Sequence, residues 1–335
     1  MAREKSQRKN KISHLLNGDL SEVVRQISAD PLIEQVAEIA RQKKVPLYLV
    51  GGAIRDALLG RQIKDYDFVL EKIKMPFLNQ LKELLGASLF PIGKGKLERV
   101  YRLVKGDQTL DFAGMPGDDI GQDLMRRDFT INAIAYAFAE GRFYADPSAI
   151  SDIKAGGIAL VSPQALQADP LRMLRAIRYR STLPGFDLTA PAREKIARRR
   201  KLLSSVAPER IRAELDEIIL SPLPAQGLLL MHELGLLPCV FPELTPLEGL
   251  PQGRHHLMDA LSHTIEVVGE ADRLAREGNP FSYRPTEQQR LILGYAALFH
   301  TSASPQRRAS TKRERSTSMT THSTPPAWPR GSCGV

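Results

Sequence analysis

The segment VPLYLVGGAIRDALLGRQIKDYDFVL, Val45 to Leu70, joins two apolar runs through a double glycine and brings two aspartates out of the second run at a spacing of two. Val45 to Val50 is short and continuously apolar, as a buried strand is, and AIRDALLG reads as a helix closed by Gly60. Asp65 to Leu70 reads as a second strand. Side chains two apart on a strand share a face, so Asp65 and Asp67 stand side by side with Tyr66 opposite. Carboxylates that close repel unless a cation lies between them. Oxygen donors suit Mg2+, which takes one or two carboxylates together with substrate phosphates. A bare D-x-D is also what an acidic strand end facing water looks like. The preceding glycines shift the balance: Gly51 and Gly52 let main chain approach a phosphate at a helix N-terminus, and Arg55 in the first turn adds a bidentate fork. VGGAIRD lacks the G-x-G-x-x-G spacing, and GKGK at Gly93 to Lys96 lacks the spacing and Ser/Thr of an NTPase phosphate loop. Neither dinucleotide binding nor an NTPase is supported.

The surrounding pattern is mixed at first and then helical. PLIEQVAEIARQKK from Pro31 has the helical period, PFLNQLKELLG reads as a further helix, and ERVYRLV and QTLDFAG read as strands joined by a turn at KGD. Asp111 alternates against Leu110 and Phe112, which places a third acid within reach of the sheet face that carries Asp65 and Asp67. Three such acids could hold two metals about 3.5–4 Å apart for an in-line phosphoryl or nucleotidyl displacement. This mixed unit ends near Asp146. Beyond it the strand signal disappears and helical segments follow, separated by Pro or Gly.

At 335 residues the chain is too long for one ordinary core. No apolar run reaches the ~18 residues of a membrane span, and the basic start MAREKSQRKNK has no apolar stretch of a signal peptide behind it, so a cytoplasmic protein is expected. Cys239 and Cys333 alone make neither a disulfide framework nor a zinc cluster. The net charge of +9 sits in the two ends, and the chain between them is near neutral, so overall charge says little about a nucleic-acid partner. REKIARRRK, Arg193 to Lys201, is a denser cluster that could meet phosphates or be a solvated helix face.

Taken in order, these motifs resemble the class II tRNA nucleotidyltransferase and poly(A) polymerase family, from about Val45 to Leu220 and more weakly to His300. LVGGAIRDALLG with DYDFV resembles its signature, which implies triphosphate contact by Gly51, Gly52 and Arg55 and metal binding by Asp65 and Asp67; Asp111 falls where the third catalytic carboxylate is expected. DLMRRDFTINAIAY resembles the segment linked to sugar selection and head movement, which implies roles for Arg127, Asp128 and Asn132. ADPLRMLRAIRY resembles the base-reading motif E-D-x-x-R, with Ala168 in place of its leading Glu. Asp169 and Arg172, one helical turn apart, offer an acceptor and a donor fork to a base edge, and Arg175 and Arg178 continue the helix toward triphosphate or RNA. APERIRAELDEIIL resembles the neck motif, where Glu209, Arg210 and Arg212 brace that helix.

The resemblance implies an α+β fold: a polymerase β-like head with a small mixed β-sheet, then an all-α neck and body. The expected organisation is a basic N-terminal extension (1–30), a catalytic head (31–146), a helical neck (147–220), a helical body with a partial HD-like region (221–300) and a disordered tail (301–335). The implied activity is addition of CMP and AMP to tRNA 3′ ends, with Mg2+ as cofactor and CTP, ATP and an RNA 3′ end as partners, and no membrane. A poly(A) polymerase or an enzyme adding only CC or only A fits the same residues. HHLMDALSHTIEVV and LILGYAALFH resemble an HD-type phosphohydrolase with His263 and His300 as ligands, but Thr301 stands where the doublet needs Asp. The period stops there, which suggests a frameshift or fusion, an unassembled HD site, and an inactive RNA-binding remnant as a further alternative.

Overall fold

The computed structural model describes residues 19–63, 65–93, 99–115, 117, 119–251, 258–277 and 284–301. The chain divides into two compact units between Cys239 and Val240. The first opens with α1 (Asp19–Ser28) and α2 (Pro31–Gln42); Asp30 caps α2 by accepting from the Leu32 amide at 2.9 Å, with Pro31 pre-set for the first turn. Then come β1 (Leu47–Val50), α3 (Gly52–Leu58), β2 (Asp65–Leu70), α4 (Met75–Leu85), β3 (Ser88–Ile92), β4 (Val100–Lys105) and β5 (Gln108–Gly114). After them follow α5 (Ile120–Met125), β6 (Ile134–Ala137) and β7 (Arg142–Ala145).

The strands form one seven-stranded sheet in the order β3-β4-β5-β2-β1-β6-β7. Only β2 and β5 run parallel; every other neighbouring pair is antiparallel. Alternation divides the residues between two faces. Leu49, Phe68, Leu70, Leu110 and Phe112 pack beneath α1 to α4 in the main core, where Phe68 stacks on Phe112 at 5.0 Å between centroids. Val50, Val69 and Ala135 point the other way, against Ile120 and Leu124 of α5, in a smaller cluster. Asp65 and Asp67 belong to this second face.

Two expected boundaries change. Leu20, Val23 and Ile27 of α1 are buried in the main core, so residues 19–28 belong to the folded head and not to a basic extension spanning 1–30. The second change lies at the other end of the unit, among α6 (Ala149–Ala155), β8 (Gly157–Ile158), α7 (Ala165–Ala168), α8 (Arg172–Thr182), β9 (Asp187–Leu188), α9 (Ala190–Arg199), α10 (Pro208–Ile219), α11 (Pro224–Glu233) and α12 (Leu237–Val240). Both α10 and α11 pack on α8. A Cβ at Gly227 of α11 would collide with Ser181 of α8, so glycine permits this close approach and ties residues 224–233 to the neck. Residues 224–233 thus pack with the helices of the segment expected as the neck, past its expected end at 220. That segment is helical apart from β8 and β9, a parallel pair of two residues each.

In the second unit, the 3-10 turn Pro242–Leu247 precedes α13 (Ala260–Glu277) and α14 (Glu287–Phe299), which pack on each other. Asp272 accepts from Arg276 and Arg290, both at 2.7 Å, and Thr286 with Gln289 forms a reciprocal cap on α14. Among the described residues no helix is long and apolar enough to cross a membrane. The expected disordered or frameshifted tail, from residue 302 on, lies outside the described residues, as do Gly93's neighbours 94–98.

Candidate active site

Parallel pairing of β2 with β5 sets Asp67 opposite Asp111 and Asp65 opposite Thr109. Because Leu110 and Phe112 lie in the core, Asp111 shares the outer face with Asp65 and Asp67, as the alternation predicts. Tyr66, on the opposite face, is buried and donates its hydroxyl proton to Asp30 at 2.7 Å. Desolvation pushes the Asp67 carboxyl above its ordinary value, Asp111 and Asp65 push it the same way, and the charges of Arg127 and Arg175 pull against them without cancelling the rise. The sequence reading missed Arg102. On β4 it stands opposite Asp111 and donates through Nε and Nη2 to both carboxylate oxygens, at 2.8 and 2.6 Å.

Among the described residues no three His, Cys, Asp or Glu side chains are gathered into a metal-ligand set. Asp65 and Asp67 nevertheless suit a divalent ion. They are hard oxygen donors, exposed on one face, and they carry repulsion that a cation would relieve. Asp111 is on the correct face but is turned to Arg102.

The double glycine does two separate things. Gly51 has φ +75° and donates its amide to the Ile134 carbonyl at 2.9 Å, ending β1 and starting α3. A Cβ on it would lie 3.0 Å from Arg127 Nη1, so Arg127 rests over the bare glycine. Asp123 holds that guanidinium from behind, accepting from Nε at 3.1 Å and Nη2 at 2.9 Å. Arg127 thus reaches both the turn and the field of Asp67.

Arg55 differs from expectation. It is only 8% exposed, donating to Asn132 Oδ1 at 2.7 Å and to the Asp56 carboxylate at 3.0 Å, so it braces the turn from inside and presents no open fork. Asn132 in turn donates to Asp128 Oδ1 and to the Tyr179 hydroxyl, each at 3.0 Å. Asp128 also accepts from the Phe129 amide and from Arg175 Nε, both at 2.8 Å. Burial alone would push the Asp128 carboxyl up; the Arg175 charge and these hydrogen bonds outweigh it and hold the group below its ordinary value. Arg55, Arg175 and Arg178 each lie over the Tyr179 ring, at 5.3, 5.7 and 5.0 Å, and Glu214 of α10 pairs with Arg178 at 2.8 Å. One buried network therefore joins α3, the segment 127–132, α8 and the neck. Tyr179 and Glu214 were not read from the sequence. The available signal was an acid sharing the buried side of α10 with Leu215 and Ile218.

Asp169 and Arg172 lie at the start of α8 but do not pair with each other. Asp169 accepts from the Leu171 amide at 3.2 Å and from Arg210 at 2.8 Å, which is the bracing role read for the neck motif. Arg172 donates to the carbonyls of Arg126 at 2.7 Å, Arg127 at 3.2 Å and Ala165 at 3.3 Å. Arg212 pairs with Asp216 on its own helix. In the basic cluster, Arg193 is engaged by Asp187 and Glu233; Arg198 is exposed and pairs with Glu194 at 2.6 Å, and Lys201 is exposed.

Within the second unit the rings of His263 and His300 meet at 5.9 Å. The two histidines of the HD site expected to be unassembled are thus adjacent, with Thr301 at the position where the doublet needs Asp. Thr301 Oγ1 lies 2.9 Å from His300 Nε2, whose Nδ1 faces the Ala297 carbonyl at 2.6 Å.

Residues 47–159 match the family model described as "Poly A polymerase head domain", and residues 185–248 match "Probable RNA and SrmB- binding site of polymerase A". Over these two segments the chain is similar to the tRNA nucleotidyltransferase and poly(A) polymerase family. It is similar to the CC-adding tRNA nucleotidyltransferase of Thermus thermophilus, 38% identical over 65% of this chain and 50% of that protein. It is also similar to the A-adding tRNA nucleotidyltransferase of Deinococcus radiodurans, 37% identical over 77% of this chain and 56% of the other. The chain thus spans about half the length of these relatives. Among solved structures, the Thermotoga maritima CCA-adding enzyme complexed with tRNA superposes with a TM-score of 0.68 at 22% identity, covering 91% of this chain and 70% of that one. That likeness fixes the fold: a mixed-sheet head followed by a helical region.

Proposed function

We propose that the chain is a template-independent RNA nucleotidyltransferase that adds CMP and AMP to tRNA 3′ ends. The observation that carries the reading is the outer sheet face, where Asp65, Asp67 and Asp111 stand beside the Gly51 turn with Arg127 laid over it. The RNA 3′-hydroxyl attacks the α-phosphate of the nucleotide, the bond to the bridging oxygen breaks, and pyrophosphate leaves. Mg2+ held by Asp65 and Asp67, joined by Asp111, would acidify the hydroxyl and offset phosphate charge. Arg127, resting over the bare Gly51, meets the triphosphate with a guanidinium already oriented by Asp123. Arg55, Asp128 and Asn132 act from behind, fixing the turn and the segment after Arg127. Arg175 and Arg178 hold α8 through Asp128 and Glu214. Asp169 and Arg172 read the base: the acid accepts from the exocyclic amine of C or A and the arginine donates to the neighbouring ring acceptor. Arg210 and the carbonyls of residues 126 and 127 orient that pair.

The relatives include proteins named for CC addition and for A addition. The test is therefore incorporation, by purified protein with Mg2+, of each radiolabelled nucleotide into tRNA transcripts lacking one, two or all three terminal residues. Full CCA synthesis supports the proposal, and C-only or A-only extension assigns a partial enzyme. No incorporation by folded protein overturns it.

A further inference from the structure

We propose that Arg102 is a positioning residue for the metal site, holding Asp111 out of the ligand set so that a divalent ion must compete with its guanidinium for that carboxylate. The inference rests on the reading of Asp65 and Asp67 as metal ligands.

The sheet puts the four side chains in a row. Arg102 on β4 faces Asp111 on β5, and Asp111 faces Asp67 on β2, two positions from Asp65. Asp111 therefore stands between a fixed cation on one side and the acidic pair on the other. Its two oxygens both accept from the guanidinium, at 2.8 and 2.6 Å, the parallel fork that is the strongest pairing a carboxylate makes with a side chain. Arg102 also lies within the electrostatic reach of Asp65 and Asp67. It supplies positive charge to the whole row while offering no site for an oxygen ligand. This accounts for the failure of three acids on one face to gather as a ligand set. The latch can also be drawn off, because the Arg102 side chain is 40% exposed against 19% for Asp111. A guanidinium that pairs with carboxylates pairs equally well with phosphates. A bound triphosphate gives Arg102 another partner and frees Asp111, so the third carboxylate joins the ions only when nucleotide is present.

The test is Mn2+ binding to the full chain without nucleotide, followed by electron paramagnetic resonance, for wild type, Arg102→Gln, Arg102→Lys, Asp111→Asn, Asp67→Asn and the double variant Arg102→Gln/Asp111→Asn. Arg102→Gln is expected to bind Mn2+ about tenfold more tightly than wild type, and Arg102→Lys, with charge but no fork, to fall between them. The double variant is expected to lose the gain, because the gain is carried by Asp111. Equal or weaker binding by Arg102→Gln, or a gain that survives in the double variant, overturns the proposal. Melting curves identify any variant that has unfolded, and Arg102→Lys then decides. If Asp67→Asn binds Mn2+ as wild type does, the metal reading of Asp65 and Asp67 itself fails, and the inference with it.

Discussion

Asp67 concentrates the conflict between folding and chemistry. Its carboxyl lies above the ordinary value, so the folded chain binds that proton more tightly than the unfolded one. Ionisation in the folded state is therefore unfavourable: the contribution of Asp67 to stability is fully present at acid pH and falls as pH rises through the window between the ordinary carboxylate value and the raised one. Asp67→Asn should raise the melting temperature at neutral pH, with the gain vanishing in acid, while abolishing nucleotide incorporation. Calorimetry across pH checks the first effect and the labelled assay the second. Gly51 has the opposite character. At φ +75° and with Arg127 resting on it, Gly51→Ala combines backbone strain with a displaced guanidinium. Urea unfolding should show a loss of about 1–3 kcal/mol.

At the level of elements, the buried network around Tyr179 joins the head to α8 and the neck. Asp128 is its only acid within the segment 127–132 and is buried, while Arg175 is about one-third exposed and keeps Glu214 at 3.6 Å and the Tyr179 hydroxyl at 3.1 Å without it. Asp128→Ala should cost about 1–3 kcal/mol, from the Asn132, Phe129 and Arg175 donors it leaves unpaired. A double-mutant cycle with Arg175→Ala measures the share of that loss carried by the Arg175 pair. Because the folded Asp128 carboxyl lies below its ordinary value, its contribution is present above the unfolded value and is lost as pH falls toward the folded one. Alternation made β2 and β5 legible, down to the shared face of Asp65, Asp67 and Asp111. Strand β6 was not legible, because all four of its residues, IAYA, are buried and show no alternation, and two of them are Ala. Strand β3 was hidden by Pro91 and by its exposure at the sheet edge. The inward turn of Arg55 and the pairing of Arg102 with Asp111 depend on which neighbour each guanidinium meets after folding. Periodicity carries no information about that.

For the molecule as a whole, the net charge of +9 resides in the ends of the chain, so RNA contact is expected from local clusters. If α9 and the turn after it meet the RNA backbone, Arg198→Ala and Lys201→Ala should each lower the slope of log affinity against log salt by about 0.7–0.9. Filter binding over a salt series measures this. In the second unit, Thr301 stands beside His300 where the HD doublet needs Asp. The protein should accordingly hydrolyse no phosphomonoester, whatever divalent ion is supplied. The central claim is that the outer face of the head sheet performs metal-dependent nucleotidyl transfer. Its most direct test is single-turnover incorporation of labelled CMP into a tRNA transcript lacking its last three residues, by wild type, Asp65→Asn and Asp67→Asn, with Mg2+ and with excess chelator. The account predicts incorporation by wild type with Mg2+ alone and a loss on the order of a hundredfold or more in each variant. Incorporation at the wild-type rate by folded Asp67→Asn would contradict it.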